Sequence, residues 1–296
     1  MRNIEKQGLV YSSNYFFELP IDKKEKGIME AGTFHIICND CDNYIFKDYE
    51  DENNLIEIPT NKMLAEISLK NILLTWDKRL FEIELYNKMK EISPNSSEFL
   101  DYKNEINYMD LSEIKWEYKR AKKIIDKNLK SGYKLIFYQK VDYMFPIAFQ
   151  GHVCLYGDLE GNIINDIYDD NINTKMQYIN ICVFPLKDCS VIYMFYHKDD
   201  RNYCKFERQF NRLSFDEKLQ LITFIIINYS EELYISPKVS TEISSNKLIK
   251  EISKNTTELI ACSPEDINMQ QNEKLKELCN YKDVINILDK KYSINN

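Results

Sequence analysis

The sequence predicts an α+β fold: an N-terminal Cys/His motif and long helices, then a mainly antiparallel, β-rich half packed by a buried helix. Two observations lead there. Helical periodicity dominates residues 60–132, whereas β-branched and aromatic residues crowd successive segments between 133 and 197. Those strands do not alternate with helices, which argues against a doubly wound parallel sheet. At 296 residues, with 44% hydrophobic side chains, the chain can bury a core without staples.

The first region spans 1–132. Residues 1–58 read as irregular or β-rich and carry a close cysteine pair. A helix follows, with Thr60 as N-cap and Met63, Leu64, Ile67, Ile72, Leu73, Trp76, Leu80, Phe81, Ile83 and Leu85 at helical spacing. Pro94 and Asn95 end it. A second long helix is expected from about Asp110, with Glu113 completing a D-x-x-E capping box, to Ser131–Gly132, where Gly132 would take the left-handed position.

The second region, 133–239, reads first as sheet: Tyr133–Val141, Ile147–Tyr156 and Tyr178–Phe184, then Val191–His197 returning across a Pro185–Asp188 turn as a hairpin partner. Ser214 and Glu217 form another capping box and open a helix running to about Tyr234. Its stretch Leu219–Ile227 is apolar all round, so it should lie buried against the sheet. The third region, 240–296, is a polar tail with expected surface helices at Lys247–Ile252 and Asn272–Leu288.

A net charge of −8 argues against non-specific nucleic-acid binding and leaves a protein partner as the open class. The basic run Lys115–Lys123 reads as a solvated helix face. The N-terminus lacks the continuous apolar core of an export signal, and Leu219–Ile227 is too short to cross a bilayer. A cytoplasmic setting with reduced thiols is therefore expected for the eight cysteines. Cys154, Cys182, Cys189 and Cys204 sit in or beside apolar runs and read as buried small hydrophobes.

One segment is chemically pointed. Gly32–Glu50 contains H-x-x-C-x-x-C-D: His35, Cys38, Cys41 and Asp42. Two thiolates three residues apart can meet one ion across a tight turn, and an imidazole nearby can join them. Soft and borderline donors favour zinc or iron over magnesium or calcium. Asp42, His152, Cys154 or water would supply a fourth ligand, and water would leave an open, hydrolytic position. Structural thiols and a reactive cysteine are the competing readings. The reactive form is a hydrolase in which His152 activates Cys38 and Asp158 orients the imidazole.

The stretch GTFHIICNDCD followed by F-x-x-Y-E resembles a group of bacterial proteins with a T-F-x-x-[FI]-C-x-x-[HC]-D motif. Thr33, Phe34, Cys38 and Asp42 match it, and Cys41 stands where the pattern has histidine. Pro146–Gln150 and Ile181–Ser190 belong to the same pattern, which covers residues 30–240. The resemblance implies a ligand exchange at Cys41 and brings no known activity.

Familiar enzymes are excluded by motif. The seven glycines form neither a phosphate-binding loop nor a dinucleotide fingerprint, and no H-E-x-x-H or G-x-S-x-G occurs. Asp166, Asp169 and Asp170, and Asp199 with Asp200, read as solvated turn residues.

Overall fold

In the computed structural model, the structure describes residues 2–12, 25–29, 36–92, 97–167, 169, 174–229, 233–252 and 264–294. The fold is α+β with a seven-stranded antiparallel sheet. The chain divides into two compact units. One comprises residues 1–33, 134–168 and 177–296; the other comprises 34–133 and 169–176.

The sheet belongs to the first unit. Its strands are β1 (Leu9–Tyr11), β2 (Glu25–Gly27), β3 (Tyr133–Val141), β4 (Ile147–Val153), β5 (Ile179–Pro185), β6 (Ser190–His197) and β7 (Leu233–Ile235). They lie in the order β2-β1-β7-β4-β5-β6-β3. The hairpin across Pro185–Asp188 is formed, with Ile181 opposite Met194 and Val183 opposite Ile192. Alternation then sends Phe149, Val153, Ile179, Ile181, Val183, Ile192 and Met194 to one face. There they join a core with Phe206 and Phe210 of a helix at Tyr203–Arg212, and with Leu219, Ile222 and Ile226 of a helix at Phe215–Tyr229.

The Phe215–Tyr229 helix is buried from Leu221 through Asn228, as its all-round apolarity requires. Its capping box is present: Glu217 N–H donates to Ser214 Oγ at 3.3 Å, and Ser214 N–H donates to Glu217 Oε2 at 2.9 Å. The expected extension to Tyr234 is corrected. The helix stops at Tyr229, and Leu233–Ile235 forms β7, with Ile235 opposite Ile147 of β4. A Leu-Tyr-Ile triplet satisfies strand propensity, and pairing with β4 outweighs local helical continuity. The Tyr203–Arg212 helix lies where the sequence reads as sheet. The tail contributes Leu278, Tyr281, Val284, Ile287 and Leu288 to the same core, partly through a 3₁₀ turn at Leu278–Asp283 whose spacing hides from a 3.6-residue search. Helices at Thr241–Ser244, Lys247–Ile252 and Pro264–Glu277 complete this unit.

The second unit is helical: α1 (Asn39–Ile45), α2 (Lys47–Glu50), α3 (Glu52–Leu55), α4 (Asn61–Ile92) and α5 (Ser97–Asp126). Thr60 Oγ1 accepts from Met63 N–H at 3.2 Å, the expected N-cap. α4 and α5 run antiparallel, as their cross-pairs show: Lys90 with Asp101, Asn87 with Asn104 at 2.9 Å, Arg79 with Asp110 at 2.8 Å, and Trp76 edge-on to Tyr118. The second helix therefore begins at Ser97, not near Asp110, and Asp110 is an internal partner of Arg79 rather than a cap. Polar Asn104 and Asn107 occupy buried positions in its first half and mask the apolar stripe there.

The other end of α5 also departs from expectation. Asn128, at φ +46°, takes the left-handed position: Leu129 N–H reaches Ile124 O and Asn128 N–H reaches Ile125 O, a Schellman arrangement. Gly132 instead donates its N–H to Asn61 Oδ1 at 2.7 Å.

Candidate functional site

The cysteine pair is built on the first turn of α1. Cys38 is the N-cap residue, extended at ψ 158°, and Asp42 N–H donates to its carbonyl. Three residues on, Cys41 occupies the third helical position, so both side chains lie at the same open end. Both are exposed free thiols. The Cys41 N–H and then the Cys41 thiol face the Cys38 sulfur and hold the Cys38 thiol below its ordinary range. The Cys41 thiol is pushed up, first by that contact with Cys38 and then by the negative charge Cys38 acquires. The two sulfurs titrate as a pair.

Neighbouring side chains tie this motif to α4. Asp42 lies 3.2 Å from Lys70 Nζ, which also pairs with Glu50 and sits over the rings of Phe46 and Tyr49, 4.9 and 5.7 Å from their centroids. One turn earlier, the buried Glu66 accepts from Tyr49 N–H at 3.1 Å and lies 3.3 Å from Lys62, which reaches Asp48 at 2.5 Å. Lys62, Glu66 and Lys70 are spaced four apart and form one charged row along the mostly buried first turns of α4. Sequence reasoning missed that row. The signal was a carboxylate placed in a buried helical stretch, where it needs partners.

His35, with Thr33 and Phe34, lies outside the described residues. Among the described residues, no group of three or more His, Cys, Asp or Glu side chains is arranged to hold a metal ion. Cys38, Cys41 and Asp42 are brought to one helical turn, with Asp42 engaged by Lys70.

The hydrolase candidates divide between the units: Cys38 belongs to the helical unit, His152 and Asp158 to the sheet unit. His152 stands on β4 opposite Asn180, with its ring 4.8 Å from that of Tyr178. Asp158 is consumed by its own turn. Its Oδ1 accepts from Glu160 N–H, Asn162 N–H and Asn162 Nδ2 at 2.8–2.9 Å, and Lys205 lies 3.5 Å from Oδ2. Those donors outweigh burial and hold its carboxyl below the usual range.

Of the cysteines read as buried hydrophobes, Cys182 is fully buried, which drives its thiol far up; Cys154, Cys189 and Cys204 are half-buried. Asp169 accepts from Thr174 at 2.6 Å, while Asp199 lies 3.7 Å from His197 Nδ1. Asp170 lies outside the described residues. Among the described residues, no helix is long and apolar enough to cross a membrane. Comparison with protein-family models, curated proteins and solved structures finds no match for this chain.

Proposed function

We propose that the chain is a binding or accessory module whose working group is the Cys38/Cys41 pair, holding a zinc-type ion with His35 as third ligand. The observation that supports this reading is the placement of two exposed sulfurs against each other on one turn, with one thiol already biased toward thiolate. Asp42, committed to Lys70, serves better as a counter-charge beside the ion than as the fourth donor; water or another side chain completes the shell. A reducing, cytoplasmic setting, which keeps both thiols free for the ion, belongs to the same proposal.

Metal analysis of the purified full chain, after zinc supplementation and desalting, is expected to give close to one zinc per chain. The Cys38→Ser/Cys41→Ser double variant should retain none, and His35→Ala should bind about 10–100-fold more weakly. A full chain that retains no zinc would end this reading. Circular dichroism of the double variant separates two forms of it. Melting of the helical unit marks a structural ion, whereas an intact fold moves the proposal to a catalytic, water-carrying ion.

The lowered, exposed Cys38 thiol favours a second reading, a cysteine that attacks electrophiles, with a hydrolase using His152 as its fullest form. Iodoacetamide at neutral pH, applied to metal-free protein, should then modify Cys38 ahead of Cys41 and Cys279, which are also exposed. Equal rates at the three positions would remove it.

A further inference from the structure

The surface of α5 that faces away from α4 carries a second pattern, independent of the thiol site. Glu105, Tyr108, Ser112, Lys119 and Lys123 recur at spacings of three, four and seven residues and so share one face. Tyr108 and Trp116 are exposed at 56% and 38%, and Met109 beside them at 47%. Between the two rings lies a shallow groove of about 330 Å³ floored by Ser112 and edged by Lys115 and Lys119. Charge is divided along the helix. Its first half carries Glu98, Asp101, Glu105 and Asp110 against Lys103, and its second half carries Lys115, Lys119, Arg120, Lys122 and Lys123 against Glu113, Glu117 and Asp126.

We propose that this face is where a second copy of the chain docks, α5 against α5, antiparallel about a two-fold axis at Ser112. Such an axis makes the surface its own complement. Tyr108 meets the partner's Trp116 and Trp116 the partner's Tyr108, and Glu105 meets the partner's Lys119. The acidic half of each helix thereby lies along the basic half of the other. A parallel pairing would set acidic against acidic and is disfavoured. Ser112, the smallest side chain on the face, stands at the crossing, where helix axes come within about 8–10 Å. The contact from Glu105 to Lys119 spans about 21 Å of helix. Two aromatic rings per copy at its centre supply the anchors such an interface needs.

Light scattering and sedimentation of the full chain are expected to give twice the 35.4 kDa chain mass at micromolar concentration. Glu105→Lys sets lysine against the partner's Lys119 at two symmetric places and should weaken the dimer by at least about tenfold. Adding Lys119→Glu should restore it. Both positions are exposed, so neither change threatens the fold. A chain that stays monomeric up to on the order of 100 µM, or a dimer indifferent to Glu105→Lys, would overturn the proposal.

Discussion

Exchanging Tyr203 for phenylalanine is expected to lower the unfolding free energy by about 1–3 kcal/mol, because the hydroxyl is the acceptor for a buried backbone N–H and a donor to a second chain segment. Tyr203 is fully buried. Its oxygen accepts from Leu155 N–H at 3.2 Å and its proton goes to Gln177 O at 3.0 Å. Leu155 follows the strand that bears His152, and Gln177 precedes β5, so one hydroxyl joins the two chain segments that leave the sheet side by side. Asn165 repeats the device one layer out, bridging Leu155 O and Gln177 O through Nδ2 at 2.9 and 3.0 Å. Removing the hydroxyl strands the buried Leu155 N–H, at a cost of about 1–3 kcal/mol, while Gln177 O keeps its bond from Asn165. Urea unfolding should show the midpoint falling with an unchanged slope. Tyr44→Phe, at a ring 78% exposed, should move it by less than about 0.5 kcal/mol. A Tyr203→Phe protein as stable as the parent would mean that the hydroxyl carries none of the junction.

Tyr203 also shows where the sequence stopped being legible. The strands and the buried helix at Phe215–Tyr229 announce themselves because their hydrophobic pattern is local and unbroken: every position of β6 is buried, and so is every residue from Leu221 to Asn228. The Tyr203–Arg212 helix breaks that condition, since it follows β6 after a short turn and packs its aromatic residues from one face only. The start of α5 was hidden for the opposite reason. Asn104 and Asn107 replace apolar residues in the seam, and only the facing Asn87 shows that Asn104 belongs there. At the thiol site, spacing alone placed Cys38 and Cys41 together, because a single helical turn fixes three-residue neighbours. The Lys62, Glu66 and Lys70 row was not legible, since its partners Asp48, Tyr49, Glu50 and Asp42 become neighbours only after three short helices fold back on α4.

Glu66 tests how firmly that row fastens the cysteine motif. Glu66→Ala is expected to cost about 1–3 kcal/mol, because it removes the carboxylate that accepts from the buried Tyr49 N–H and one of the two carboxylates that face Lys62. Amide exchange at Tyr49 should accelerate with it. Glu66→Gln keeps an oxygen for Tyr49 and removes the charge, and the sign of its effect follows from burial. Desolvation is the strongest influence on this carboxyl and raises it above 4.5; the Tyr49 N–H opposes it, and Lys62 opposes it less. The folded state therefore holds the Glu66 proton more tightly than the unfolded chain, so this group's contribution to stability falls as pH rises above 4.5. At pH 7 the glutamine variant should be at least as stable as the parent. Its stability should also decline less between pH 4.5 and neutrality. Were Glu66→Gln as damaging at pH 7 as Glu66→Ala, the charge itself would be holding α2 to α4 through Lys62, and the N–H acceptor would be secondary.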